Sequence, residues 1–289
     1  MKEPLVSIIV VTYNSSKFVV ETLDSVYKQT YKNLELIITD DFSQDDTNEI
    51  VDEWINNHSS RFLNCSHIRT GMNTGISKNN NRGFKECKGE WIKYIAGDDI
   101  LLPTSIQDYI FSAQNNTDHL WYLGKMKYYD EFFEDDRRLV DYENRIYACW
   151  EDHNRKTLGQ LRYEIALNNF MPAPSMFYNS KIIQQVNGFD EKYSLCEDYP
   201  MNMKLLDAGY SPFFLDSYTI GYRTRAGSIS SNKGKSFYNY PFLDTLYKIK
   251  KEYCFKYLSI RERIAVVLKY YIEKGTKYLP YGKILAQFR

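Results

Sequence analysis

Trp91-Ile92-Lys93-Tyr94-Ile95-Ala96-Gly97-Asp98-Asp99 is a largely apolar run that stops abruptly on two acids. Its length and its aromatic and β-branched content read as a buried strand, and Gly97 marks the turn that ends it. The same grammar recurs on either side. Residues 5–12 form a continuous β-branched run, and residues 34–39 form another that closes on Asp40-Asp41-Phe42-Ser43. Val19, Leu23 and Val26 recur at helical spacing between them, and Ile50, Val51, Trp54 and Ile55 mark a second helical stripe. Residues 62–68 read as a strand and 78–88 as a helix ending before Gly89. Strand and helix in alternation predict an α/β fold, with a parallel sheet and right-handed crossovers. In such sheets ligands sit beyond the carboxyl ends of the strands. Both acid pairs fall there.

Past Pro103 the pattern loosens. It predicts a helix over 104–114, a strand over 120–128 and a charge-dense loop or helix over 131–141. A short strand at 176–178 and a helix at 181–186 lead to the turn Asn187-Gly188-Phe189-Asp190, then a helix over 198–208 and a strand over 213–222. A chain of 289 residues accommodates one large domain with a small extension. Zero formal net charge gives no sign of a nucleic-acid partner. The charge is uneven, however: residues 245–289 carry 11 Lys and Arg against 3 Asp and Glu. Cys65, Cys87, Cys149, Cys196 and Cys254 are odd in number and scattered, which reads as reduced thiols in a cytoplasmic protein. No run approaches the ~20 apolar residues of a membrane span.

Several side chains carry two readings. Asp98 and Asp99 are either a solvated turn or a pair of hard oxygen ligands suited to Mg²⁺ or Mn²⁺. Asp41 either caps the following helix or accepts the imide N–H of a uracil ring, with Tyr13 nearby as an aromatic face; for Asp40 the cap is the better reading. Glu197-Asp198 opens a helix, where the dipole favours acids whatever their role. Arg223 and Arg225 either bind a diphosphate or lie on the surface.

Taken together, the motifs resemble the inverting family 2 glycosyltransferases of GT-A fold, across residues 4–230. The matching stretches are residues 6–14, Leu36-Ile37-Ile38-Thr39-Asp40-Asp41-Phe42-Ser43, Asn73-Thr74-Gly75-Ile76-Ser77, Gly89-Glu90-Trp91-Ile92, Gly97-Asp98-Asp99, and Gly188-Phe189-Asp190-Glu191 before Glu197-Asp198. The resemblance implies that Tyr13 and Asp41 hold the nucleobase, that Asp98 is the metal ligand with Asp99 beside it, and that Asp198 is the general base. Four positions depart from the family pattern. Ala96 stands where many members have a further acid, Asn80 where an arginine often contacts the nucleotide, Arg225 where a histidine sits near the diphosphate, and Phe42 where a small residue is usual.

These readings predict a catalytic domain over 1–230, with a nucleotide-binding half to about residue 100 and an acceptor-side half over 101–230. A basic helical C-terminal extension follows over 231–289. The expected activity is metal-dependent transfer, with inversion, of a sugar from a nucleotide-sugar donor, a UDP-sugar by the Asp41 reading. Asp98, Arg223 and Arg225 meet the diphosphate, and Mn²⁺ or Mg²⁺ is the cofactor. The acceptor is a saccharide or lipid-linked hydroxyl, as in surface polysaccharide biosynthesis. A sugar nucleotidyltransferase would carry a basic, glycine-rich loop after its first strand, and Asn14-Ser15-Ser16-Lys17 is not one. A non-catalytic carbohydrate-binding or scaffold protein finds its support in Ala96. In the tail, Ile264, Val267, Leu268 and Tyr271 share a helical face beside Arg261, Arg263 and Lys269. That face either lies on the inner surface of the cell membrane or packs on the catalytic domain or on a second subunit of a homo-oligomer.

Overall fold

Strands β1 (Val6–Thr12), β2 (Leu34–Asp40), β3 (Cys65–Arg69) and β4 (Trp91–Ala96) alternate with helices α1 (Val19–Tyr27), α2 (Thr47–His58) and α3 (Ile76–Glu86). Every residue of β2 is buried, Glu35, Thr39 and Asp40 included, as in a strand covered on both faces. The computed structural model describes residues 3–148, 150–224 and 238–278. Arg225, Cys149 and the expected boundary near residue 230 lie outside the described residues.

The second half supplies β5 (Ile100–Leu101), α4 (Ser105–Asn115), β6 (Trp121–Tyr129), α5 (Val140–Tyr147), α6 (Leu158–Leu167), β7 (Met176–Asn179), α7 (Ser180–Gln185), α8 (Asp198–Asp207) and β8 (Phe213–Arg223). One eight-stranded sheet, flanked by helices, results in the order β3-β2-β1-β4-β7-β6-β8-β5. The first four strands are parallel, β7 runs antiparallel to both β4 and β6, and β8 returns parallel to β6. This reversal matters for the site. Because β7 runs opposite to β4, the chain leading into it, residues 168–175, lies at the carboxyl end of β4.

Two helices extend beyond the expected elements. Part of α5 covers the charge-dense stretch, and α6 begins with a reciprocal cap in which Thr157 and Gln160 exchange side-chain to backbone hydrogen bonds. That Thr-x-x-Gln signal was present in the sequence.

The amino ends of the central strands are tied by a buried acid. Glu35, 1% exposed, accepts from the Ser7 hydroxyl and from the backbone N–H groups of Lys88 and Gly89 through one oxygen. Gly89 is required there: a Cβ would lie 2.4 Å from Ser7 Oγ and 2.6 Å from Ser7 N. The C-terminal part forms α9 (Tyr240–Ile249) and α10 (Ile260–Gly275). Its inner side is anchored by Tyr163 to Glu262, by Tyr270 and Lys274 to Asp244, and by stacking of Tyr247 on Tyr270 at 3.9 Å. Among the described residues no helix is long and apolar enough to cross a membrane.

Gly89→Ala is expected to destabilise the fold by about 1–3 kcal/mol, because the clash is with backbone as well as side chain. Denaturant titration reads this as a lower midpoint at an unchanged slope.

Candidate active site

Three adjacent parallel strands deliver the site. Thr12 pairs with Asp40 and Val11 with Ala96, so Tyr13, Asp41 and the Gly97-Asp98-Asp99 turn leave the sheet on one rim. The Asp41 amide donates to the Thr12 carbonyl at 3.0 Å and the Gly97 amide to the Val11 carbonyl at 2.9 Å, continuing the ladder past the strand ends. Tyr13 is 50% exposed and Phe42 40%, so two aromatic rings stand on this rim where core residues would be covered. Phe42 adopts φ +73°, a left-handed conformation that a bulky side chain enters at a cost.

The two acids after β2 have separate tasks. Asp40 is fully buried and accepts from the Thr12 and Ser43 hydroxyls, the Ser43 amide and the Asn48 side chain. It brackets the turn after β2 and, among the described residues, accepts no backbone N–H of α2, so it is not the helix cap that the sequence suggested. Asp41 is also buried and faces inward, but its oxygens already receive protein donors. The Thr74 amide lies 3.0 and 3.1 Å from them, the Thr74 hydroxyl 2.7 Å, the Gly75 amide 2.7 Å and Arg82 2.6 Å. Asp41 therefore holds the Asn73-Thr74-Gly75 loop against the strand ends. Sequence reasoning missed Arg82. It noted Asn80 in place of an arginine, while the guanidinium arrives from two residues further along α3, also touching Asn79 at 2.9 Å.

After β4 the acids diverge. Asp98 is half-buried at the rim. Asp99, expected beside it as a metal ligand, is instead turned into the protein, 2% exposed, and accepts from the Arg223 amide at 3.0 Å. Burial, reinforced by the neighbouring Asp98 charge, pushes its carboxyl well above the usual range. Below it the buried Lys93 donates to the carbonyls of Pro174 and Met176, and burial pulls its ammonium down to about 7.

Arg223 also departs from its expected role at the diphosphate. It is 3% exposed and donates through Nε to the Asp98 carbonyl at 2.9 Å. Its remaining nitrogens reach the Glu131 carbonyl and the Glu21 carboxylate, with Phe18 and Phe133 at 4.1 and 4.2 Å from the guanidinium. The weakly hydrated planar guanidinium suits this buried, stacked position. What it positions is the turn that carries Asp98.

Asp198 opens α8. Its Oδ2 accepts from Asn169 at 3.0 Å and its Oδ1 lies 3.3 Å from Cys196 Sγ. Since residues 168–175 lie at the carboxyl end of β4, this pairing brings Asp198 to the same side of the sheet as Asp98. The loop before α8 also touches the nucleotide side, where the Ile76 amide donates to the Ser194 carbonyl and the Ser77 hydroxyl to the Tyr193 carbonyl. Burial raises the Asp198 carboxyl above its ordinary value, the Cys196 and Asn169 donors acting against the shift. Glu197 is pushed up to about 8 by burial and by the adjacent Asp198 charge.

A family model described as glycosyl transferase family 2 matches residues 7–184. The chain belongs to that family. It is a glycosyltransferase of GT-A fold. It is 25% identical to an uncharacterized glycosyltransferase of Methanocaldococcus jannaschii over 88% of this chain and 83% of that one. It is 28% identical to the Escherichia coli UDP-Glc:alpha-D-GlcNAc-diphosphoundecaprenol beta-1,3-glucosyltransferase WfaP over 80% of this chain and 82% of the relative. Among solved structures, S. aureus TarS 1–349 in complex with UDP-GlcNAc aligns with TM-score 0.62 and 22% identity over 85% of this chain and 65% of TarS 1–349. The chain spans 39% of the longer TarS chain. The mannosyltransferase PcManGT from Pyrobaculum calidifontis, in complex with GDP-Man and Mn²⁺, aligns with TM-score 0.60 and 15% identity over 99% of this glycosyltransferase and 80% of PcManGT. These structural likenesses support the fold.

Arg223→Ala separates its two roles. A buried junction predicts a stability loss of about 2–4 kcal/mol from orphaned carbonyl acceptors and lost packing. A surface diphosphate ligand predicts weaker nucleotide binding at an unchanged thermal midpoint, so parallel calorimetry and thermal unfolding decide between them.

Proposed function

We propose that this glycosyltransferase moves a sugar, with inversion, from a UDP-sugar to an acceptor hydroxyl, using Asp98 at the donor diphosphate and Asp198 as general base. The observation that carries this reading is the pair of half-buried carboxylates at one rim of the sheet, one closing β4 and one opening α8. Tyr13 and Phe42 offer faces to the nucleobase. A pyrimidine imide N–H takes the place of one Thr74 donor on Asp41.

Among the described residues no cluster of three or more His, Cys, Asp or Glu is arranged to hold a metal ion. Ala96 and the inward turn of Asp99 leave Asp98 as the one carboxylate of the acid turn at the rim. That donor set fits Mg²⁺ or Mn²⁺ completed by substrate phosphates and water, the usual mode for Mg²⁺. Bound there, the ion supplies charge neutralisation of the leaving diphosphate. The chain's own residues do the rest. Asp98 anchors the donor end, Arg223 fixes the turn that presents it, and Asp198 accepts the proton of the attacking hydroxyl as the new bond forms. A base on the acceptor side of a single displacement gives inversion, and holding both partners in line supplies much of the rate.

Asp98→Ala is expected to abolish UDP release from UDP-sugars at an unchanged thermal midpoint. Asp99→Asn, which keeps the shape of a carboxyl whose charged form burial disfavours, retains turnover. Equal loss in both variants would return Asp99 to the set of reacting groups.

Asp198→Asn should lose transfer by about 10²–10⁴-fold while binding UDP as before. The wild-type rate falls on the acid side of a pKa above the ordinary carboxylate range, since a base with a raised pKa is protonated first as pH drops. An acid limb at about pH 4 would place the base elsewhere.

The finer localisation rests on α10. Its outer side carries Ile260, Ile264, Leu268, Tyr271 and Ile272, each 52–74% exposed, recurring at helical spacing. Exposed Arg261, Lys269 and Lys277 flank it, and the sequence over 274–289 contains Lys274, Lys277, Lys283 and Arg289 with no acid. An apolar stripe rimmed by cations complements an anionic lipid surface, and a lipid-linked acceptor would be presented there. Full-length protein is expected to co-sediment with phosphatidylserine-containing vesicles at low salt, and less at high salt. An Ile264→Asp, Leu268→Asp double variant stays in the supernatant. Indifference of the wild type to such vesicles, or concentration-dependent dimerisation that the double variant abolishes, overturns the membrane assignment.

A further inference from the structure

Asp198 sits at the end of a chain of polar side chains drawn from three parts of the sequence. Asn202, one turn further along α8, donates to the Asn169 oxygen at 3.1 Å, and Asn169 donates to Asp198 Oδ2 at 3.0 Å. Cys196 approaches the other oxygen at 3.3 Å, and the thiol is the only one of that pair able to donate to a carboxylate. An ionised carboxylate only accepts, so Asn169 must turn its NH₂ toward Asp198 and its oxygen toward Asn202. The amide orientations along the chain are thereby fixed.

The cost of the arrangement argues for a purpose. Asn202 is fully buried between Met201 and Met203, and among the described residues its Oδ1 has no partner. An unmet buried carbonyl is expensive, and an apolar residue would pack this helix face without it.

We propose that Asn169, braced by Asn202, and Cys196 are positioning residues that fix the Asp198 carboxylate with one side-chain donor on each oxygen. Held at both ends, the carboxylate plane is set before the acceptor arrives. The same two donors favour its ionised form and oppose the burial that disfavours it. The other titratable groups facing Asp198 are Glu197 beside it, Tyr199 in α8 and Tyr178 from β7. This inference rests on the reading of Asp198 as the base, and the test keeps the two apart.

The S–H stretching band of Cys196, isolated as the infrared difference between wild type and Cys196→Ser, reports the bond to Asp198 without any substrate. It should shift in one step as Asp198 takes up a proton, and the step should be absent in Asp198→Asn. In Asn169→Ala the midpoint should rise by about one pH unit, because a donor to the charged form has been removed. UDP release from UDP-N-acetylglucosamine with Mn²⁺ gives the catalytic arm. There the acid limb moves upward in Asn169→Ala and Cys196→Ala, and Cys196→Ser, which keeps a donor, restores it. A purely structural role would change stability and leave the limb where it was. A midpoint unmoved in Asn169→Ala, or a step that survives in Asp198→Asn, overturns the positioning role. If the spectra behave as expected but UDP release is indifferent to Asp198→Asn, the base assignment fails instead.

Discussion

Arg223 brings a permanent positive charge into the interior at the end of β8, and the surroundings of the acid turn are built to receive it. The Asp98 and Glu131 carbonyls, the Glu21 carboxylate and two aromatic faces share the guanidinium, while Asp99 takes the backbone N–H of the same residue. Because β8 belongs to the mixed half of the sheet and β4 to the parallel half, this junction fastens the two halves at the rim that carries Asp98. Asp98 inherits its place from that fastening. A burial so complete is tolerable because each nitrogen of the fork finds an acceptor.

The parallel half was legible because β1, β2 and β4 are largely apolar, buried runs that end in polar turns, whereas β3 is half-buried and mixed in composition. Their shared rim followed from topology. The directions of individual side chains did not. Asp98 and Asp99 look equivalent in sequence, while one meets the rim and the other is drawn inward to the Arg223 amide on β8, a contact between distant segments. Arg82 was passed over because its contact to Asp41 depends on how α3 is rotated against β1. Asn169 and Asp198 are 29 residues apart and meet only because β7 reverses direction. The α6 cap was readable and the helix behind it was not, since its apolar residues are spread around the helix and do not gather on one face.

The tail divides one amphipathic helix into a packed side and an exposed side. Tyr270 and Lys274 of α10 turn toward Asp244 of α9 and Glu262 takes the Tyr163 hydroxyl of α6, while Ile264, Leu268 and Tyr271 turn outward. Docking on the body and exposure of an apolar face are therefore compatible in a single helix.

Phe42 sets backbone strain against an exposed aromatic ring, so stability and the proposed base contact pull on it with opposite signs. A phenylalanine held at φ +73° is in a conformation that costs roughly 1–3 kcal/mol and that glycine would occupy freely. Glycine would also remove the exposed ring from the rim. Selection for thermal robustness alone would erase this side chain, and selection for grip on a planar base would retain it, so the residue found at this position in any variant of the enzyme records which pressure prevailed.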